Sequence, residues 1–203
     1  MDTATQIITE KLISKRRSEA PVVGMVLFII VEAMFFAAFI SAYIVTSAQL
    51  DPWPPKDMPV LSFGTSSFNT IILLGSGIFV AMGYLQQNGT KKSTRKDLML
   101  IGLLLGLSFL IFQGQEWTSM LEYGATFTSN THSSFFYLII GSHGLHVLGS
   151  LTWLAVVVYK RNAQNSYARK QKLLSACLLW YFVVLVWPIL YYLIYIYPGM
   201  IVL

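Results

Sequence analysis

Five long apolar stretches constrain this chain more than any other feature of its sequence. They lie near residues 22–47, 64–87, 98–121, 133–159 and 173–197. Each is long enough to cross the hydrocarbon core of a bilayer, which takes about 20 helical residues. Backbone polar groups inside a bilayer must hydrogen-bond within the protein, and a helix satisfies them all locally. The sequence therefore predicts an all-α integral membrane bundle of five transmembrane helices, in one domain over residues 1–203.

The composition agrees with a membrane protein and excludes a soluble enzyme. The chain is 55% hydrophobic and 11% charged, whereas soluble domains are about 25% charged. The net charge of +5 belongs to the loops between spans, so we expect no nucleic-acid partner. The single cysteine, Cys177, excludes an internal disulfide. The first apolar run is too long for the core of a signal peptide, so it counts as a span.

The basic residues predict the topology. Five spans place thirteen of the fourteen Lys and Arg on one side of the membrane and only Lys56 on the other. The positive-inside rule then puts the N-terminus inside and the C-terminus outside. The thirteen precede span one, follow span two or separate spans four and five: Lys11, Lys15, Arg16, Arg17, Lys91, Lys92, Arg95, Lys96, Lys160, Arg161, Arg169, Lys170 and Lys172.

Two carboxyl groups are the candidate functional residues. Glu32 lies ten residues into span one, which is about 15 Å deep at the rise of an α-helix. Glu116 lies near the outer end of span three. A charge at such depth costs several kcal/mol, so it needs a hydrogen-bond partner, a lipid headgroup or water. We expect both carboxyls to be associated with lipid or with protons.

Small residues predict where helices approach one another. In span one, Ala33, Ala37 and Ser41 recur every four residues and form a face suited to close helix packing. In span three, Gly102 and Gly106 form the same pattern. The face of span three that carries these glycines continues toward polar groups at its outer end, where Gln113 is expected to hydrogen-bond.

The two histidines of "GSHGLHVLGS" (residues 141–150) are either ligands or structural groups. His143 and His146 share one helix face, so they cannot bind a haem from opposite sides. A metal would need further ligands from other helices. Ser150 lies on the face of His146, which favours a hydrogen-bonding seam between helices that comprises His143, His146, Ser150 and Gln113. With three histidines and one cysteine, the chain is expected to catalyse nothing by itself.

Several motifs, in order along residues 22–197, resemble subunit III of the haem–copper terminal oxidases. "GMVLFIIVEAMFFAAFISAY" is similar to that family's glutamate-bearing helix, with Glu32 at the glutamate position. "WPP" at 53–55 resembles the following loop, and "FNTIILLGSGIFVAMGY" the next helix, which begins with Asn69. "HGLHV" is the most specific match. "LWYFVVLVWPILYY" is similar to the last helix, with tryptophans at 180 and 187.

The resemblance implies a short, five-helix bacterial form in the inner (plasma) membrane. It implies a V-shaped cleft with bound phospholipid, and a subunit that has no cofactor of its own while haem and copper lie in partner subunits. The implied partners are oxidase subunit I as the main contact, subunit II, a small subunit IV and a larger respiratory supercomplex. The implied role is to stabilise the catalytic subunit, bind lipid and support proton uptake. The chain would thus be non-catalytic alone but part of a terminal oxidase that reduces oxygen and pumps protons.

Three alternatives stay open from the sequence. One is a related subunit of a nitric oxide reductase, which shares the fold. Another is a small proton-coupled transporter that uses Glu32, although no inverted repeat supports it. The third is a membrane-anchored cytochrome, which the histidine geometry disfavours. The sequence leaves the electron donor, quinol or cytochrome c, undetermined.

Overall fold

The computed structural model of the chain describes residues 3–50, 53, 63–86, 92–159 and 166–198. Every regular element in these ranges is helical, as predicted. The helices are α1 (Thr3–Gln49), α2 (Phe63–Leu85), α3 (Lys92–Glu122), α4 (Thr131–Tyr159) and α5 (Ser166–Tyr191), and α5 continues as a π-helix over Tyr192–Ile196. Predictions that involve Pro54, Pro55, Lys56, Lys91, Lys160 and Arg161 concern positions outside the described residues.

All five predicted spans correspond to helices that are long and apolar enough to cross a membrane. The apolar parts of the five helices are Glu19–Gln49, Gly64–Leu85, Arg95–Glu122, Thr131–Tyr159 and Tyr167–Ile196. The predicted bounds agree with these to within six residues, the largest difference being the start of the last span. α1 also extends toward the N-terminus far beyond its span, since it begins at Thr3. The prediction of an all-α membrane bundle is therefore confirmed.

Four of the helices close a ring, and the first lies outside it. α2 packs on α3, α3 on α4, α4 on α5 and α5 back on α2. α1 packs along α5 and touches α4 less extensively. Only 6% of the most apolar window of α1 is buried, against 50% of that of α5. α5 is thus the central helix, whereas most of the surface of α1 is uncovered.

The α2–α3 interface is the most extensive and depends on glycine. A Cβ atom on Gly102 would lie 2.7 Å from Val80 Cγ2 and 3.2 Å from the carbonyl oxygen of Ser76. The Ser76 hydroxyl donates to the carbonyl of Gly102 over 2.7 Å. Gly106 has an equally close neighbour on α5, because a Cβ atom there would lie 2.5 Å from Trp180 Cη2. Gly102 thus lies where two helix backbones approach closely, whereas Gly106 leaves room for the ring of Trp180.

The turn between α3 and α4 has a defined ending of one helix and a capped start of the next. Gly124 has a φ of 81°, a conformation that glycine adopts without strain. The amide of Gly124 donates to the carbonyl of Leu121, and the amide of Ala125 to that of Met120, both over 3.0 Å. This is a Schellman ending of α3. Asn130 Oδ1 then accepts from the amide of Ser133 over 2.7 Å and caps α4.

Candidate functional site

Glu32 of α1 is paired with His146 of α4. Glu32 Oε2 lies 2.7 Å from His146 Nε2. Both side chains are mostly buried, with 15% of Glu32 and 20% of His146 exposed, and the rings of Phe35 and Phe36 lie 6.0 and 5.2 Å from the imidazole centroid. Because His146 lies near the middle of α4, the pair is deep within the apolar region. The hydrogen-bond partner that the depth of Glu32 requires is therefore an imidazole.

The other nitrogen of His146 determines how many protons the pair holds. Nδ1 lies 2.6 Å from the carbonyl oxygen of Ser142. A carbonyl only accepts, so Nδ1 must carry a hydrogen. Nε2 and Oε2 then share one proton: either a carboxylic acid donates to a neutral imidazole, or an imidazolium donates to a carboxylate. The pair has zero net charge in both forms, which lowers the cost of placing it inside a membrane.

Glu116 belongs to a second polar cluster, which joins α2, α3 and the π-helix. Oε1 accepts a short hydrogen bond from Ser66 Oγ. Oε2 accepts from the Tyr195 hydroxyl over 2.7 Å and from Gln113 Nε2 over 2.9 Å. Asn69 Nδ2 donates to Gln113 Oε1 over 3.2 Å and extends the cluster into α2. Three donors directed at one carboxyl match an ionised carboxylate, which only accepts.

Tyr195 reaches Glu116 from the π-helix that continues α5. Tyr195 is only 2% exposed, so its hydroxyl lies inside the bundle. Pro188 lies inside α5 and removes a backbone donor. The helix widens into a π-helix from Tyr192, a distortion frequent at functional sites. The proline was the sequence signal that could have indicated this irregular helix end.

The predicted seam of His143, His146, Ser150 and Gln113 is not continuous. His146 and Gln113 do bond to other helices, but in the two separate clusters described above. Ser150 Oγ donates within its own helix, to the carbonyl of Val147 over 3.0 Å. Both ring nitrogens of His143 are buried and have no hydrogen-bond partner within the described part of the chain. The predicted seam is therefore wrong for Ser150, whose hydroxyl bonds within α4, and for His143, whose neighbours on other helices are aromatic rings and not polar groups.

His143 is instead packed among aromatic rings. It is fully buried, and its ring centroid lies 5.0 Å from that of Trp187 at an interplanar angle of 31°. Phe36 and Phe109 each lie 6.2 Å away with near edge-to-face geometry. His143 therefore joins α1, α3, α4 and α5 by ring packing rather than by hydrogen bonds.

Among the residues that the structure describes, no helix covers the small residues of α1. Ala33, Ala37 and Ser41 are all exposed. The face that contacts α4 and α5 is the one that carries Glu32, Phe36 and Tyr43, with Phe36 and Tyr43 almost fully buried. The expectation that Ala33 and Ala37 pack against another helix is not met by any of the five described helices. Spacing indicates where close approach is possible, but it does not identify the partner.

A groove of about 740 Å³ lies between α3 and α4, toward the turn that joins them. It runs along α3 from Leu107 to Trp117, about 15 Å at the helical rise. On α4 it includes Gly141 and Gly144, and a Cβ atom on either glycine would lie 3.7 Å from the ring of Trp117. Gln113 also lines the groove, whereas Glu32 and Glu116 do not. The two carboxyls therefore lie apart from this groove and from each other.

The third histidine contacts Trp53, which follows α1 in the sequence. His132, at the start of α4, is buried, and its ring lies 5.2 Å from that of Trp53 and 6.1 Å from that of Tyr43. Within the ranges that the structure covers, no group of three His, Cys, Asp or Glu side chains could hold a metal ion. The contacts of the three histidines are with a carboxyl group, a carbonyl and aromatic rings.

Comparison with known proteins finds similarity to one family over nearly the whole chain. The family described as "Cytochrome c oxidase subunit III" matches residues 15–199. A protein of Mycobacterium leprae named "Probable cytochrome c oxidase subunit 3" is 31% identical, over 93% of this chain and 93% of its own length. "Cytochrome c oxidase subunit 3" of Synechocystis is 30% identical, over 85% of this chain and 73% of its own length. The similar protein of Drosophila yakuba is 33% identical, over 87% of this chain and 69% of its own length.

Proposed function

Because the chain belongs to the cytochrome c oxidase subunit III family, we propose that it stabilises the catalytic subunit of a haem–copper respiratory oxidase, binds lipid and supports proton uptake. As a member of this family it is a multi-pass membrane protein that sits in an oxidase complex with other subunits. Within that complex we assign haem and copper to the partner subunits and none to this chain. The contacts of His143 and His146 support this division, since both are engaged in packing and pairing.

The uncovered face of α1 is the proposed contact with oxidase subunit I. Ala33, Ala37 and Ser41 are exposed in this chain, and small residues let two transmembrane helices approach closely. Glu32 lies on the opposite, packed side of the same helix. A partner helix seated on the small residues would therefore be close to the Glu32–His146 pair without contacting it. Subunit II, a small subunit IV and a supercomplex are the further partners that we propose.

The groove between α3 and α4 is the proposed site for a phospholipid acyl chain. Its length of about 15 Å equals about half of the 30 Å hydrocarbon core of a bilayer, so it suits a chain from one leaflet. Its lining is almost wholly apolar, and Gly141 and Gly144 leave room beside Trp117. The lipid role that we expected of Glu32 and Glu116 is therefore proposed for different residues.

The Glu32–His146 pair is the observation that carries the proposed role in proton uptake and enzyme lifetime. It holds one shared proton at zero net charge, and it links the partner-facing helix α1 to α4. Loss of either member would leave the other buried without its partner, which is costly in an apolar setting. We propose that the pair keeps α1 in the position that the catalytic subunit requires.

The proposed orientation has the N-terminus inside and the C-terminus outside, in a bacterial inner membrane. Arg95, Lys96 and Arg169, which begin α3 and α5, lie together at one end of the bundle. This agrees with a single basic side, and the positive-inside rule makes that side cytoplasmic. Glu116 and the α3–α4 groove then belong to the outer half of the membrane.

Purification of the tagged chain in mild detergent tests this proposal. We expect oxidase subunits with haem and copper to copurify, and the chain dissociated from them to have no Soret band and no stoichiometric copper. In liposomes the chain alone should drive no proton-coupled transport. A preparation without any haem protein would refute the proposal, as would a stoichiometric haem in the isolated chain that disappears in His143→Ala.

A further inference from the structure

Four buried polar atoms lie at the end of the bundle where α1 ends and α4 begins. They are the hydroxyl of Tyr43, the indole nitrogen of Trp53 and both ring nitrogens of His132, and none has a hydrogen-bond partner within residues 3–50, 53, 63–86, 92–159 and 166–198. The three side chains are 0 to 3% exposed. A buried polar atom without a partner lowers the folding equilibrium constant about 5- to 150-fold, and native proteins have few such atoms.

The four atoms belong to one cluster of aromatic rings. The ring centroid of Trp53 lies 5.2 Å from that of His132 and 5.5 Å from that of Tyr43. The centroids of Tyr43 and His132 are 6.1 Å apart. The indole N–H of Trp53 is near the Tyr43 hydroxyl, yet the two groups form no hydrogen bond. The polar atoms are therefore neighbours that do not satisfy one another directly.

The chemistry of these atoms matches water. The indole N–H only donates, the hydroxyl donates and accepts, and a neutral imidazole donates at one nitrogen and accepts at the other. A metal ion would need several ligand side chains, and no group of three His, Cys, Asp or Glu lies here in the part of the chain that the structure covers. A water molecule both donates and accepts, and a buried water makes about three hydrogen bonds to groups of this kind.

The cluster lies at the boundary of the membrane, where water is available. The apolar part of α4 begins at Thr131, one residue before His132. Further along the same face of α4 the residues are fully buried and apolar: Phe136, Ile139 and Ile140. His146 follows His132 by 14 residues, about 21 Å along the helix. Hydration at His132 is therefore separate from the Glu32–His146 pair.

We propose that the Tyr43–Trp53–His132 cluster is a hydration site, in which one ordered water bridges the Tyr43 hydroxyl, the Trp53 indole N–H and one nitrogen of His132. The two nitrogens of an imidazole point in different directions, so the second nitrogen binds a second water. The bridging water connects α1 to α4 at the end of the two helices, whereas the Glu32–His146 pair connects them in the middle. The site does not depend on the proposed function of the chain.

The sign of the effect of Tyr43→Phe on stability tests the proposal. Removing a hydroxyl that bonds a water weakens the fold, whereas removing a buried hydroxyl without any partner is neutral or stabilising. We expect Tyr43→Phe to raise the unfolding equilibrium constant of the full chain in mixed detergent micelles about five-fold. Tyr137→Phe, which loses a direct bond of 2.7 Å to the carbonyl of Ala125, should have an effect of similar size. Tyr123 is 76% exposed, and Tyr123→Phe should change little.

Cryo-electron microscopy of the assembled complex, at a resolution that shows ordered waters, provides a second measurement that needs no variant. We expect an isolated density peak within about 3.2 Å of Tyr43 Oη, Trp53 Nε1 and one nitrogen of His132. A map without this peak would overturn the proposal, and so would continuous density of a protein segment that supplies the missing hydrogen bonds. A neutral or stabilising Tyr43→Phe would also overturn it, because the hydroxyl would then have no water partner.

Discussion

The Glu116 cluster predicts an unusually strong hydrogen bond between transmembrane helices. Glu116→Ala removes the carboxyl that accepts from Ser66, Gln113 and Tyr195. Tyr195→Phe removes only the hydroxyl that lies 2.7 Å from Oε2. Combining the two changes in a double-mutant cycle isolates the energy of this one contact.

The expected coupling follows from the charge of the acceptor. Hydrogen bonds between membrane helices average about 0.6 kcal/mol and reach about 1.7 kcal/mol in such cycles. Hydrogen bonds to charged groups are worth roughly 1.5 to 3 kcal/mol. A buried tyrosine hydroxyl donating to an ionised carboxylate should therefore couple by ~1.5 kcal/mol. Reversible unfolding of each variant in mixed detergent micelles measures it.

Tyr191 supplies the matched control. Tyr191 precedes Tyr195 by four residues in the sequence. Its hydroxyl lies 2.7 Å from Ser67 Oγ and is thus directed at Ser67 and not at Glu116. Tyr191→Phe should be additive with Glu116→Ala to within about 0.5 kcal/mol. A Glu116–Tyr195 coupling as small as the Tyr191 control would refute the assignment of Glu116 as an ionised acceptor.

Two further predictions use the same unfolding assay. Gly106→Ala places a Cβ atom 2.5 Å from the buried ring of Trp180 and should destabilise the chain by about 1 to 3 kcal/mol. In the control variant Gly149→Ala, the new Cβ atom meets nothing within 4 Å, so this change should be neutral or stabilising. Equal effects of the two substitutions would contradict the packing described for Gly106. His146→Leu leaves Glu32 without its partner and should cost about 3 kcal/mol without changing the haem spectrum of the assembled complex. His143→Leu breaks no hydrogen bond within the described residues and should cost less than about 1.5 kcal/mol. A reversed order of the two histidine variants would refute their assigned contacts.

The helices were predictable because each depends only on the apolar length of its own segment. A run of apolar residues long enough to cross a bilayer has few alternatives to a helix, and the third predicted span, 98–121, matches the observed apolar part Arg95–Glu122. Gly102 and Gly106 were also recognisable, since only a residue without a side chain permits such close approach. The spans depend only on the apolar length of their own segment, and the close contacts of the two glycines depend only on their lack of a side chain.

The partners of polar groups were not predictable, because they lie on other helices. The sequence identified Glu32 and His146 as unusual residues, but nothing in their spacing indicates that α1 crosses α4 at that level. For the same reason the sequence does not distinguish His143 from His146, although one packs among rings and the other pairs with a carboxyl. The inward position of Tyr195 depends on a π-helix, which a regular helical projection cannot anticipate.

The partner of the small-residue face of α1 was not predictable for a related reason. Small residues mark a surface that another helix can approach, and sequence alone does not distinguish a helix of the same chain from one of another subunit. Ala33 and Ala37 remain exposed while Phe36 and Tyr43 are covered. Large aromatic side chains bury more area than alanines, so they determine the packed face within the chain.

The number of turnovers before inactivation is the measurement that most directly tests the proposed role of the Glu32–His146 pair. In the assembled oxidase, Glu32→Ala should leave the initial rate of oxygen consumption near that of wild type and shorten the active lifetime. The control is Glu122→Ala, which removes an exposed carboxyl and should change neither quantity. The amide of Glu32→Gln can still donate a hydrogen bond to His146 Nε2. A normal lifetime of this variant would show that the hydrogen bond sustains the enzyme, and a short lifetime would show that the proton shared by the carboxyl and the imidazole is needed. An assembled Glu32→Ala oxidase with unchanged rate and unchanged lifetime would contradict the proposed role.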